Sequence, residues 1–326
     1  MRSLRTVAMS LGFALLALST AQAKPVINYA YVADFWGGKV SAIRTSDNTV
    51  VATIPVSSPW GIAINAAGTV ACVTSYYGGT VSLINTKTNL VTGTIPVGSG
   101  PLGVAYAPKG ANAYVANGNS DSVSIINTTT KNIIKTIPVG RYPYSIAVSP
   151  DGKFAYVANS NSGSVSVISA AKKKVVATIP VGGGVGFLAI SPDGSTVYAP
   201  AFNNTGSGDA IAVISTADNT VVNRIYVDGA WGAKVSPDGQ WLYASDYTDG
   251  EGNLVTVIST STQAVVATIV VGASPEEVAF TADGAHAYVT NGNSGNVSII
   301  DTATFTVVDT ISGGSYPIGM TVMGGR

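Results

Sequence analysis

One unit recurs seven times between Tyr29 and Met323, and no other feature restricts the fold so tightly. Its most legible element, TIPV or a relative, begins at Thr53, Thr94, Thr136, Thr178, Arg224, Thr268 and Thr310, at spacings of 41, 42, 42, 46, 44 and 42 residues. A V-S-x-I segment begins at Val40, Val81, Val123, Val165, Ile211, Val255 and Val297. The aromatic of a YV segment lies at Tyr31, Tyr114, Tyr156, Tyr198, Tyr243 and Tyr288, with Cys72 in its place once. A fourth segment follows a turn at Pro59, Pro101, Pro143, Val185, Ala230, Pro275 and Pro317. Short runs rich in Val, Ile, Thr and Tyr, bounded by Gly, Asn, Pro and Asp, are strands. Four such strands at this period make one propeller blade.

The order of strands within a blade follows from backbone chemistry. The proline of TIPV cannot donate a ladder hydrogen bond, so that strand belongs on the outer edge. SPDG at 149–152, 191–194 and 236–239, with TADG at 281–284, suits tight turns in which Gly takes the left-handed conformation. The strand after Pro143 is then innermost, and alanine recurs within it at Ala63, Ala105, Ala147, Ala189 and Ala279, where blades converge on the axis. The expected fold is all-β: a seven-bladed propeller of four-stranded blades. Because the chain enters at a YV strand and leaves after an inner strand, the last blade is expected to combine a C-terminal inner strand with three N-terminal strands. That clasp removes a free edge and offsets the entropy of closing a long ring.

The first residues read as a secretory signal: Arg2 and Arg5, the apolar run LGFALLAL at 11–18, and an A-x-A site at Ala21-Gln22-Ala23. Residues 1–23 are expected to be removed, leaving 24–326 as a single propeller domain that is exported and periplasmic, secreted or cell-surface. No later stretch approaches the ~18 consecutive apolar residues of a transmembrane helix. Without Arg2 and Arg5 the 17 basic residues become 15 against 17 acidic ones, near −2, which gives no electrostatic footprint for nucleic acid. Cys72 is the only cysteine, so no intramolecular disulfide, CxxCH haem attachment or cysteine-based metal site can form. Packing alone must hold the fold together.

The YV(A/T)N, VSVI and TIPVG…SPDG signatures resemble those of the YVTN-repeat β-propeller family of bacterial and archaeal exported and cell-surface proteins, to which the YncE-like periplasmic propellers belong. The likeness covers essentially the whole chain after the leader. It implies a propeller of the periplasmic or surface-layer type, and its YncE-like members suggest nucleic-acid binding, against which the near-neutral charge counts. The repeated residues build blades rather than sites, so function is sought in the departures from the repeat.

Connections in a propeller alternate between two faces. The YV-to-VS loops and the loops before the inner strands share the face around the channel mouth, and the SPDG turns share the other. This sorting places Phe35, Trp36, Trp60, Tyr76, Tyr77, Tyr142, Tyr144, Phe202, Trp231, Tyr247 and Tyr316 on the mouth face, and almost no aromatic beyond Phe305 on the other. Rings offer large contact area at small entropic cost. Trp60, Tyr144 and Trp231, at one equivalent position of three inner strands, are the leading ligand-binding candidates; the alternative is that they cap blade cores. Glu251, Glu276, Glu277, Asp209, Asp228, Asp246 and Asp249 also fall on mouth-face loops, two of which (200–210 and 245–254) lengthen the repeat. Insertions on one face of a repeat protein often mark its binding face.

Three further departures carry chemistry. DYTDGEGN at 246–253 alternates carboxylates and glycines as oxygen-ligand loops do, so Ca2+ is the one cofactor suggested, with Asp246, Asp249 and Glu251 as ligands. Its spacing is not that of an EF-hand, and a solvated acidic loop is the alternative. Lys234 stands where Ala147, Ala189 and Ala279 stand in other blades. Such a charge needs a partner, for which Glu277 is nearest by topology, or must snorkel into channel water. His286, the only histidine, belongs near the SPDG-type turns, away from the aromatics, which argues against histidine-dependent hydrolysis. Cys72 replaces a packing tyrosine as a core thiol.

The sequence therefore supports a non-catalytic exported binding or scaffold protein. Its aromatic and acidic mouth would hold an envelope or extracellular protein, peptide or glycan through Trp60, Tyr144, Trp231, Lys234, Glu276 and Glu277. The alternative is a divalent-cation-dependent lactonase- or lyase-like enzyme using the same acidic residues. Converging carboxylates would favour the enzyme, and splayed carboxylates around an aromatic patch the binding protein.

Overall fold

The computed structural model describes residues 28–202 and 208–323. The expected leader at 1–23 and the central part of the loop 200–210 lie outside the described residues. Seven sheets surround a central axis, each running from an inner strand outward in the order expected. In blade I the inner strand Pro317–Val322 pairs with Tyr29–Asp34, followed by Lys39–Arg44 and Thr49–Pro55. The inner strands of blades II to VII are Pro59–Ile64, Pro101–Tyr106, Pro143–Val148, the broken pair Gly184–Val185 and Ala189–Ile190, Ala230–Val235 and Pro275–Phe280. The closing pair is antiparallel, with Ala30 opposite Val322, Tyr31 opposite Thr321 and Val32 opposite Met320.

Burial follows radial position. The second strand is buried on both faces (Ala155, Tyr156, Val157 and Ala158 in blade IV), because each blade packs between two others. The seven blade cores are therefore interfaces: Tyr114, Val123, Ile125 and Ile137 of blade III meet Ala155, Val157 and Ile168 of blade IV. On the outer strand only the isoleucine of TIPV turns inward, as at Ile54, Ile137 and Ile179. Each outer strand also carries one register shift, as between Val167 and Ile168 of the strand it pairs with. A shift of this kind twists the edge and makes it a poor template for another chain.

The repeated polar residues form a lock in blades III and IV. Asn159, fully buried, donates through Nδ2 to Ser164 Oγ at 3.2 Å and Ser166 Oγ at 2.9 Å, and its Oδ1 accepts the Gly140 N–H at 3.1 Å. Asn117 makes the same three bonds, with Gly98 as the backbone donor. In these two blades the asparagine of YVAN, the serine of VSVI and the glycine of TIPVG are thus a single unit that ties the incoming crossover to the blade. A methyl group at Gly140 would lie 2.6 Å from Asn159 Cγ, so that position excludes any side chain.

The YV tyrosines reach across blades. Tyr31 Oη donates to Asn89 Oδ1 and Tyr288 Oη to Asn48 Oδ1, each at 2.8 Å. Both asparagines sit at the left-handed position of a turn between a third and an outer strand. In blade VII that position is Phe305, and the buried Tyr243 Oη facing it has no partner. Phe305 packs instead on Trp241, ring centroids 5.5 Å apart. The face opposite the mouth therefore carries Trp241 and Phe154 as well as Phe305, because each of the first two opens a strand directly after an SPDG turn.

A pair of substitutions separates these environments. Tyr31→Phe is expected to cost about 1 kcal/mol, whereas Tyr243→Phe is expected to be neutral or stabilising, because it removes a buried hydroxyl that nothing satisfies. Denaturant unfolding of both variants checks this; an equal loss in the two would contradict it.

Candidate functional site

The second residue of the inner strand sits where the strands meet at the mouth. Around the ring it is Trp60, Leu102, Tyr144, Trp231, Glu276 and Ile318 in six of the blades. Blade V departs from the pattern. Pro200 in its second strand has a carbonyl but no N–H. Gly186 N donates to Pro200 O, Phe187 N donates instead to Trp231 O of blade VI, and the inner strand breaks. Phe187 thereby joins Phe35, Leu102, Tyr144 and Ile318 in a buried cluster, with Trp60, Tyr76, Tyr142, Trp231 and Tyr316 packed against it.

These rings form a continuous belt. Phe35 lies 5.1 Å from Trp60, Trp60 6.1 Å from Tyr144, Tyr144 4.9 Å from Trp231, and Trp231 5.3 Å from Phe202 and 5.9 Å from Tyr247. Most contacts are edge-to-face, the favoured arrangement for such pairs. Tyr144 is only 5% exposed, and Trp60 and Trp231 are half-buried. The three residues singled out from sequence thus share one surface, but much of it faces other rings. The free area belongs to Trp36, 65% exposed and 4.6 Å from Phe35, and Tyr77, 69% exposed and 5.8 Å from Phe35.

Glu276 is buried among these rings at 4% exposure, and Tyr316 Oη donates to its Oε1 at 3.2 Å. Burial raises its carboxyl to about 7, against the smaller pull of the Tyr316 hydrogen bond. Tyr144 is likewise raised well above its usual value, by burial and then by Glu276. The next residue, Glu277, turns to the channel, and its Oε2 accepts the Met320 N–H at 2.8 Å. Burial raises it to about 7 as well, opposed by the field of Lys234.

Lys234 lies opposite Tyr243, as Ala147 lies opposite Tyr156, so the alignment that placed it on the channel holds. It is exposed and lines the channel with Glu277. Among the described residues Lys234 makes no ion pair within the 4.0 Å limit; the pairs seen are Lys39 with Asp34, Arg44 with Asp47 and Lys153 with Asp151. Of its two expected situations, the lysine adopts the solvated one.

The acidic loop is held by internal contacts. Asp246 occupies the blade-lock position of Asn117, accepts a hydrogen bond from Thr248 Oγ1, and packs against the backbone at Gly229 and Gly252. Asp209 Oδ2 accepts the Gly229 N–H at 3.0 Å. Asp249's side chain lies outside the described residues, and among those described no three His, Cys, Asp or Glu side chains converge as a metal site. His286 opens its strand beside Thr281, on the SPDG side, opposite Asp301. Cys72 is fully buried; its thiol donates to Tyr106 Oη at 3.0 Å and is pushed up to about 12 by burial. Leu102, Phe187 and Ile318 complete the mouth cluster and escaped the sequence reading. Only Phe187 left a signal, as a phenylalanine where five other inner strands have Gly or Ser and blade VII has Glu277.

The sequence profile of the YNCE-like beta-propeller matches residues 25–318. The chain belongs to this family. Among solved structures, Kuenenia stuttgartiensis hydrazine synthase is similar at 28% identity and a TM-score of 0.68, over 74% of this chain and 76% of that one. A functionally unknown protein from Desulfotomaculum acetoxidans aligns at 17% identity and a TM-score of 0.80, over 92% of this chain and 100% of that one. The dihydro-heme d1 dehydrogenase NirN, in complex with DHE, aligns at 16% identity and a TM-score of 0.67, over 90% of this chain and 75% of that one. The last two likenesses are of fold alone. No curated protein matches the sequence. No helix among the described residues is long and apolar enough to cross a membrane.

Burial of Glu276 has a consequence for stability. Its pKa rises from 4.5 unfolded to about 7 folded, so the native state holds the proton more tightly. The linked stabilisation, about 3 kcal/mol, is fully present below pH 4.5 and is lost as pH rises through 7. Glu277 acts in the same direction. Wild type is expected to lose stability between pH 5 and 8, Glu276→Gln to lose less, and the Glu276→Gln/Glu277→Gln double variant least. Thermal melts across this range test it; parallel profiles for the three proteins would contradict it.

Proposed function

We propose that this protein is an exported, non-catalytic recognition propeller whose mouth face holds an envelope or extracellular protein, peptide or glycan. The observation that carries the reading is the pairing of exposed Trp36 and Tyr77 with the buried ring of Phe35, at the end of a belt that extends to Tyr247. Exposed tryptophan and tyrosine backed by packed side chains are pre-organised anchors of the kind that dominate interfaces. Trp60 packs on Phe35 behind them and the belt continues through Tyr144 and Trp231, with Glu276 buried among the rings and the loop 245–254 as the acidic rim.

The cation-dependent lactonase- or lyase-like reading draws on the same carboxylates. Four of the described ones are engaged separately: Glu276 by Tyr316, Glu277 by Met320 N, Asp246 by Thr248 and Asp209 by Gly229 N. Splayed carboxylates beside an aromatic patch support binding rather than cation-assisted chemistry. The leader at 1–23 supports export, and the near-neutral charge counts against a nucleic-acid partner.

Immobilised wild type is expected to retain a defined partner from an envelope extract. The Trp36→Ala/Tyr77→Ala variant should lose it by roughly tenfold or more with its melting temperature unchanged, since both side chains are mostly in solvent. Equal retention by the variant would overturn the assignment, as would tight, steeply salt-dependent binding of single-stranded DNA in a low-salt gel.

A further inference from the structure

Behind the aromatic belt lies a second, separate cavity. The axial channel has a volume of about 240 Å3 and is lined by inner strands of all seven blades. Its lining runs from Gly61, Gly103 and Ser145 to Ile64, Tyr106 and Thr321, the ends nearest the SPDG turns. On the mouth side, Phe35, Leu102, Tyr144, Phe187 and Ile318 pack together across the axis. The channel is therefore a blind pocket entered from the SPDG face, on the opposite side from Trp36 and Tyr77.

Almost everything lining this pocket is small or aliphatic. Three ionisable residues line it: Lys234, Glu277 and Tyr106. Tyr106 is already engaged, because its Oη accepts the Cys72 thiol at 3.0 Å. Ser145 is engaged too, with Oγ donating to Gly186 O at 2.9 Å and accepting the Leu188 N–H at 3.0 Å. Lys234 and Glu277 stand on adjacent inner strands, beyond ion-pair distance from each other, and only one Glu277 oxygen is tied, to Met320 N. Both replace the repeat's own residue: alanine at the Lys234 position in five blades, and glycine or serine at the Glu277 position in Gly61, Gly103, Ser145 and Gly319. Two substitutions of opposite sign in one pocket, unjoined to each other, leave space between a cation and a carboxyl group.

We propose that the channel is a binding site for a small zwitterion of the amino-acid type, its carboxylate on Lys234 Nζ and its ammonium on Glu277. A simple anion would satisfy the lysine but confront Glu277, and a simple cation the reverse. A ligand carrying both charges matches both groups and brings no net charge into the pocket. The volume falls below the ~300–1,000 Å3 of drug-sized sites, which restricts the ligand to a small molecule. Gly61, Gly103 and Ala63 leave the wall smooth, so selectivity rests on the separation of the two charges.

Calorimetric titration of the full chain with glycine, β-alanine and 4-aminobutyrate tests this, with acetate and methylammonium as single-charge controls. At least one zwitterion should bind, and both controls roughly tenfold or more weakly. Lys234→Ala and Glu277→Gln should each weaken the zwitterion by roughly tenfold or more. Lys234→Ala restores the residue of the other blades, so it should fold, and a wild-type melting curve verifies that the loss is local. Trp36→Ala/Tyr77→Ala should leave this binding unchanged, which keeps it distinct from the mouth. No heat from any of the three zwitterions overturns the proposal. Acetate binding as tightly as a zwitterion and insensitive to Glu277→Gln also overturns it, showing an anion site of Lys234 alone.

Discussion

All seven blades depend on one antiparallel pairing, Pro317–Val322 against Tyr29–Asp34. Without it, blade I would expose a three-stranded edge and blade VII a bare interface, and the ring would have two ends. Closing nearly 300 residues of chain costs loop entropy, but that cost grows only logarithmically with length, so one well-made strand pair can offset it. The clasp is reinforced where the two ends meet. Fully buried Asp34 accepts backbone N–H bonds from Gly37 at 3.1 Å and from Ser315 and Tyr316 at 2.9 Å each, with Lys39 at 3.7 Å. Blades III, IV and VII carry asparagine at this position and blade VI carries Asp246. Hydrogen bonds to a carboxylate acceptor are stronger than neutral ones, and at Asp34 two of them come from Ser315 and Tyr316 at the other end of the chain.

In blades III and IV the demand on this position is smaller. Along the continuous chain the crossover already carries each outer strand to the next inner strand. Asn117 and Asn159 need only orient it, which three hydrogen bonds apiece accomplish. The proline ring of each SPDG turn adds a contact on the opposite face: Pro150 lies against Gly194, Pro192 against Gly239 and Pro237 against Gly284. Adjacent blades are thus fixed at both rims and filled with Val, Ile and Tyr between. Stability is then close to a sum of like interfaces, and a change in one blade is felt mainly by its two neighbours.

This near-additivity is why the fold was legible in the sequence and the site only partly so. Seven aligned copies display strand order, inner and outer positions, closure and the channel position of Lys234, because each is fixed by local chemistry repeated in every blade. What one copy does alone has no such redundancy. Phe187 reaches the mouth cluster because Pro200, on the strand paired with its own, has no N–H to offer and Phe187 N turns to Trp231 O of the next blade. Whether Trp60 or Trp36 carries the free surface depends on how rings from different blades pack, since both lie on the same face by topology. Asp246 looked like a cation ligand in sequence, yet it stands at the blade-lock position. Aligning it with Asn117 would have revealed that role.

Departures from the repeat divide by whether packing offsets their cost. Replacing asparagine by Phe305 strands the Tyr243 hydroxyl, but Phe305 gains Trp241 and Tyr243 gains Phe280 at 4.9 Å, so the exchange is one of polar for aromatic stabilisation. Replacing tyrosine by Cys72 is offset in the same way, through Tyr106. Glu276 and Lys234 are different. A carboxyl buried among rings with one phenolic donor carries a desolvation cost that apolar residues at the same position in other blades avoid, and the solvated ammonium of Lys234 stands without an ion pair where five other blades place alanine. A fold that can place leucine or isoleucine at the first site, and alanine at the second, has no structural need of either charge. Sequences consistent at every level break their own rules mainly at functional sites. These two charges sit on opposite sides of the aromatic belt, one toward the mouth and one in the channel, which is where two separate ligands would meet the protein.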